Sequence, residues 1–202
     1  MKIVLQFLPE SVDGGASARK AKEKMANASC IAGMAFANAF LGICHSLAHK
    51  LGGKFHVPHG IANALLLEEV IRFNAEDAPT KMGVFPQYRY PDAINRYAKA
   101  ADFLGLTKPG QSREEKVEEF IKALNELKDK IGIPRSIREW GVPEKDFLEA
   151  VDELAVDAFD DQCTPANPRY PLISELKEIY LKSYYGKEWE NEKERVAQIL
   201  GF

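Results

Sequence analysis

Apolar residues recur at helical spacing along almost the whole chain, and no long run alternates apolar with polar residues as a half-buried strand does. That pattern predicts an all-α protein, a multi-helix domain spanning residues 1–202 without a linker, an internal repeat or a low-complexity segment. The punctuation refines it. "MKIVLQFL" reads as a short helix closed by Pro9 and the Gly14-Gly15 pair. "SARKAKEKMANASCIAGMAFANAFLGICHSLAHKLGG" reads as one long helix or two in succession, amphipathic at first and then apolar on nearly all faces. A helix apolar all round is a buried one, so its second half should lie deep in a core, with Gly52-Gly53 ending the element. In "KFHVPHG" Pro58 forces Val57 out of helical geometry, and "HGIANALLLEEVIRFN" then starts a helix near His59 or Gly60 that stops around Asn74.

Further on, "PQYRYP" is expected as a loop and "DAINRYAKAADFLG" as a helix closed by Gly105. Ser112 followed by Glu115 has the form of a capping box opening "REEKVEEFIKALNELKDKIG". Pro143 suits the first turn of "EKDFLEAVDELAVDAFDD", "QCTPANPRYP" is a loop, and "LISELKEIYLKSYYG", ended by Gly186, is the last clear helix. The charge run "REEKVEEF" is a solvated helix face and carries no function.

Charge and cysteine usage exclude several classes. There are 27 Lys plus Arg against 30 Asp plus Glu, a formal net charge of -3, and no basic run, so nucleic acid is not an expected partner. The three cysteines lack the spacing of a disulfide framework or a zinc knuckle, which fits a reducing, cytoplasmic setting. The apolar start is too short to span a bilayer and offers no small-residue cleavage site, so neither a signal peptide nor a membrane segment is expected.

All four histidines fall within "HSLAHKLGGKFHVPH". On a helix His45 and His49 share a face, and His59, just past the turn, can fold back toward them, while His56 sits in the turn itself. Isolated histidines are ordinary hydrogen-bonding residues, but four together among apolar segments point to a metal. The pattern is not the H-E-x-x-H of zinc proteases, because Ser46 stands where the general base would be. Imidazole-rich sites accept Zn, Fe, Ni or Cu alike, so the residues alone leave the metal open.

The stretch "MAFANAFLGICHSLAHKLGGKFHVPHGIANALLLEEVIRFN", with "PQYRYP" and "AFDDQCTPANPRYPLISELKEIYL", resembles the C-terminal part of the iron-containing alcohol dehydrogenases. More narrowly it is similar to the alcohol dehydrogenase half of the bifunctional aldehyde/alcohol dehydrogenases, over about residues 27–185. The resemblance implies the C-terminal all-helical domain of a two-domain enzyme, whose N-terminal α/β domain binds NAD and whose active site lies in the cleft between them. It implies Fe2+, with Zn2+ as the substitute, held here by His45 and His59, the other two ligands being an Asp and a His supplied from before this segment. It implies a pocket role for His49 as proton relay and nicotinamide neighbour, and places Phe36 and Cys163 at the cofactor. Without such a role Phe36 would serve core packing and Cys163 would be an inconsequential loop thiol.

No Asp stands four residues before any His, and no Gly-rich phosphate-binding turn follows a strand, so the NAD-binding domain and half the metal's ligands are expected to be absent. The expected reaction of the complete enzyme is reversible hydride transfer between NADH and acetaldehyde or another short-chain aldehyde, giving the alcohol, with the chain alone inactive. The resemblance also implies a homo-oligomer or filament for the full-length protein. Two other classes compete: a stand-alone helical module using the histidines for a structural metal or for self-assembly, and a bis-His haem protein.

Overall fold

A computed structural model describes residues 1–76 and 92–201; "PQYRYP" lies outside them. The described residues contain ten α-helices and no strand, which makes the chain all-α. They fall into two compact units, residues 1–40 with 92–133 and residues 41–76 with 134–201.

The first unit holds α1 (Lys2–Asp13), α2 (Arg19–Ala39), α5 (Ala93–Leu104) and α6 (Arg113–Lys130). Helix α1 packs on α2 and α5 on α6. Pro9 does not close α1, which continues to Asp13: a single proline costs one intrahelical bond, and this helix buries no residue that a kink would displace. Ser112 and Glu115 make both bonds of the capping box, the Ser112 hydroxyl accepting from the Glu115 N–H at 3.2 Å and the Glu115 carboxylate from the Ser112 N–H at 2.6 Å. Gly105, in the left-handed region, closes α5 as expected.

The expected deep burial of the apolar helix is corrected in α2. Its only buried residues are Ala21 and Ala28, whereas Ile31, Met34 and Phe36 stand 48–58% exposed. Together with α1 and α6 its small residues border an open apolar pocket of about 620 Å³. Apolar composition says that a face resists water; it does not say that the same chain covers it.

The second unit holds α3 (Ile43–Phe55), α4 (His59–Ala75), α7 (Ile137–Trp140), α8 (Glu144–Phe159), α9 (Ile173–Tyr185) and α10 (Trp189–Leu200). Helix α3 lies against α4 and α8, and α9 packs on α4, α8 and α10. The core between them is built from Leu47, Leu51, Leu66, Phe147, Leu176, Tyr180 and Tyr184, all fully buried. The long apolar segment is thus two helices, and Gly52-Gly53 lies inside the second of them. A Cβ on Gly52 would come within 3.0 Å of the Val57 carbonyl, so the glycine lets the following turn fold back on the helix. His56 ends α3 in the left-handed region, φ 54°, and Pro58 caps α4, which starts at His59. The sequence pattern did not bring out α7 or the largely polar α10, whose packing rests on Trp189 and Val196. No single helix among the described residues is long and apolar enough to cross a membrane.

Candidate metal centre

Helix α3 presents His45 and His49 one turn apart, and the α3–α4 turn brings the first residue of α4, His59, back to them. The ring centroids lie 5.3 Å apart for His45 and His59, 5.4 Å for His49 and His59, and 6.2 Å for His45 and His49. Two imidazoles sharing one ion at about 2.1 Å each have centroids roughly 5 Å apart. His45 and His59 are inclined at 54° and their planes intersect. His49 stacks on His59 at 18°, near parallel. The three imidazoles are thus close enough together to suit a nitrogen-liganded divalent ion.

His45 is half-buried, and its pKa is lowered by that burial and then by the neighbouring His59 and His49, with Asp161 opposing; a lowered pKa favours the neutral ring a metal needs. At His59 the Asn63 amide nitrogen lies 3.2 Å from Nε2 and donates to the His59 carbonyl at 3.0 Å. Metal at Nε2 would exchange that first contact for coordination. Cys44 is half-buried against α4, its thiol 3.6 Å from the Asn63 carbonyl and pushed up to about 12 by burial, which favours the neutral thiol.

The loop between α8 and α9 completes the surroundings. Asp161 accepts from the Cys163 N–H at 3.0 Å on Oδ1, and from His49 Nδ1 and the Lys50 ammonium on Oδ2, each at 3.1 Å. His49, Asp161 and Cys163 bring one ligand atom each within 4.8 Å of one another. As a separate metal site that trio is weaker than the imidazole pair. Both carboxylate oxygens already have donors, Lys50 brings a positive charge, and the Cys163 pKa is raised by desolvation and by Asp161, which keeps it a thiol.

This loop is held by buried polar contacts. Thr164 meets Ser46 of α3 at 2.8 Å and donates to the Ala158 carbonyl, and Asn167 donates to Asn74 at 2.7 Å while accepting from the Ile43 N–H at 3.3 Å. A Cβ on Gly42 would stand 2.6 Å from the Asn167 amide oxygen, so the start of α3 needs glycine there. The three histidines and Cys163 are thus brought together, Phe36 lies in the other unit beside its apolar pocket, and His56 is an exposed helix end. Asp161 was missed by sequence reasoning. Its only local signal is an acid two residues before Cys163, and its partner His49 is 112 positions away.

Partial burial pushes the Asp161 pKa up, but the Cys163 N–H, Lys50 and His49 outweigh it and hold the carboxyl down at about 2. Depressed below its unfolded value, this group stabilises the fold above about pH 4, and the contribution disappears as pH falls toward 2. Urea midpoints between about pH 5 and pH 2.5 should fall less steeply in Asp161→Asn than in the wild-type chain; equal slopes would contradict the assignment.

Residues 1–184 match the family profile described as "Fe-containing alcohol dehydrogenase family, C-terminal". The chain is 57% identical over 189 residues to the bifunctional aldehyde-alcohol dehydrogenase of Escherichia coli strain K12, covering 94% of this chain and 21% of that protein. It is 39% identical to the NADPH-dependent butanol dehydrogenase of Clostridium saccharobutylicum, over 93% of this chain and 43% of the relative. Among solved structures, an alcohol dehydrogenase from Oenococcus oeni superposes with a TM-score of 0.76 at 33% identity, covering 91% of this chain and 43% of its own. The chain therefore spans a fifth to less than half the length of these relatives.

Proposed function

The chain belongs to the iron-containing alcohol dehydrogenase family, as its C-terminal part, and on that premise we propose that its 202 residues are the helical, metal-holding half of an NAD-dependent alcohol dehydrogenase. The observation that carries this reading is the 5.3 Å, 54° arrangement of His45 and His59. These two rings would hold Fe2+, or Zn2+ in its place, and the ion when bound supplies Lewis-acid polarisation of a carbonyl oxygen.

The remaining steps belong to this chain's side chains. His49, stacked on His59 and one-third exposed, relays the proton that balances aldehyde plus NADH plus H⁺ against alcohol plus NAD⁺. Cys163 at 8% exposure and the partly exposed Phe36 are the residues assigned to the nicotinamide. An N-terminal NAD-binding domain is the partner that would contribute the other ligands and the cofactor's seat, and the substrate is a short-chain aldehyde or alcohol such as acetaldehyde or ethanol. Homo-oligomers or filaments of the longer protein, a cytoplasmic location, and no nucleic-acid or membrane partner complete the reading.

The self-assembly alternative draws on the exposed apolar residues of α2. An assay separates the two. The isolated chain with Fe2+, NADH and acetaldehyde should show no NADH oxidation above background. A chimera carrying this chain in place of the matching 189 residues of the Escherichia coli relative should oxidise NADH with acetaldehyde, and His59→Ala should lower that rate at least about 100-fold. Robust turnover by the isolated chain, or a chimera indifferent to His59→Ala, would refute the proposal.

A further inference from the structure

Asp161 carries a consequence beyond packing. Its side chain is 7% exposed and its oxygens accept three hydrogen bonds: Cys163 N–H on Oδ1, and His49 Nδ1 with the Lys50 ammonium on Oδ2. An ionised carboxylate only accepts, so the His49 nitrogen facing it must carry the hydrogen. A neutral imidazole has one N–H, and fixing it at Nδ1 leaves the lone pair on Nε2. Lys50 and the Cys163 N–H hold the carboxylate in place independently of His49, so the imidazole meets an acceptor already oriented for it. The stacking on His59 fixes the ring face as Asp161 fixes its edge.

We propose that Asp161 is a positioning residue that locks His49 in the Nδ1–H tautomer, making Nε2 the atom that exchanges the proton with the alcohol oxygen. This rests on the reading above, in which His49 is the relay. In alcohol oxidation the nicotinamide of the complete enzyme would accept the hydride from the carbinol carbon, and His49 Nε2 would take the hydroxyl proton, becoming an imidazolium. In aldehyde reduction the imidazolium returns that proton from Nε2 to the oxygen and reverts to the Nδ1–H form. Asp161 stays ionised throughout, stabilising the imidazolium without taking its proton. The same carboxylate excludes the other tautomer, whose lone pair at Nδ1 would face a buried negative charge.

The test reads the tautomer directly and needs no turnover. Long-range ¹⁵N–¹H correlation spectra of the ¹⁵N-labelled full chain, at about pH 8 where imidazoles are mostly neutral, report which nitrogen of each histidine is protonated; the His49 signals are identified by their loss in His49→Gln. The wild-type chain should show His49 with Nδ1 protonated and Nε2 bare. In Asp161→Asn one oxygen must serve three donors, and turning it to the fixed Cys163 N–H presents the amide NH₂ to Nδ1, so His49 should switch to the Nε2–H form. A wild-type spectrum with Nε2 protonated overturns the proposal even if no variant folds, and so does an Asp161→Asn spectrum unchanged from wild type. Titrating the same samples with Co2+ separates this from the metal assignment. Asp161→Asn should bind within about twofold of wild type. The Co2+ affinity of the wild-type chain, which supplies two of the expected ligands, bears on the metal reading alone and leaves the tautomer result intact.

Discussion

Replacing His45 and His59 together by alanine will abolish Co2+ binding by the chain, and replacing His49 will leave it almost unchanged. Co2+ is the probe because it accepts the same nitrogen donors and reports its coordination in visible absorbance. With two of the expected ligands the wild-type chain should bind one equivalent weakly, at high Co2+ concentration, and each single substitution at His45 or His59 should weaken binding at least about tenfold further, since loss of a ligand costs no less than the loss of a group that merely supports one. The contrast with His49 gives the experiment its force. Sequence spacing alone pairs His45 with His49, one turn apart on the same helix. In the folded chain that pair has the longest centroid separation of the three, 6.2 Å. His49→Ala should therefore change affinity by no more than about threefold. If His49→Ala removes the signal while His59→Ala is silent, the ion belongs to the α3 face and the dehydrogenase reading loses its basis. A structural site closed by four protein groups would show itself too, in a tetrahedral spectrum with no exchangeable water.

The turn that makes this geometry was legible because its chemistry is local. Pro58 excludes helix at Val57, the chain must bend, and a helix restarting at His59 puts its first side chain beside the helix it has just left. Capping at Ser112 and termination at Gly105 were legible for the same reason, each being settled within a few residues. What composition left undetermined depends on distant parts of the chain. Gly52 looked like a helix stop, but it is a clearance for a carbonyl five positions on, inside a helix that continues. Asp161 became a partner of His49 only when the α8–α9 loop was fastened to α3 through Thr164 and Asn167. The exposed face of α2 shows the same gap from the other side: Ile31, Met34 and Phe36 carry the pattern of a covered surface, and the chain spans less than half of the dehydrogenase relatives it matches. Periodicity reports that a face is apolar, and does not report whether the same chain covers it.

Phe147→Ala is expected to cost about 3–5 kcal/mol, which for a chain of this size lowers the melting temperature by roughly 6–20 °C. Phe147 is fully enclosed, stacks on Tyr184 with centroids 4.1 Å apart at 16°, and meets Tyr180 edge-on at 6.5 Å. The cost belongs at the upper end because the neighbours cannot collapse into the space. Tyr184 donates to the Val142 carbonyl at 2.8 Å and Tyr180 to the Leu47 carbonyl at 2.7 Å, so either ring could fill the cavity only by abandoning a buried hydrogen bond. The second of those bonds ties stability to the metal centre. Leu47 lies on α3 between His45 and His49, and the Tyr180 hydroxyl ties that stretch of helix to α9. Co2+ affinity should therefore fall in Phe147→Ala, although the substituted ring is no ligand, whereas Phe147→Leu should cost about 1–1.5 kcal/mol and leave the affinity near wild type. Chemical denaturation gives the first quantity and the Co2+ titration the second. A Phe147→Ala chain that loses less than about 1.5 kcal/mol would mean that the aromatic stack relaxes freely, and the histidines would then have to be held in register by the loop contacts of Thr164 and Asn167 alone.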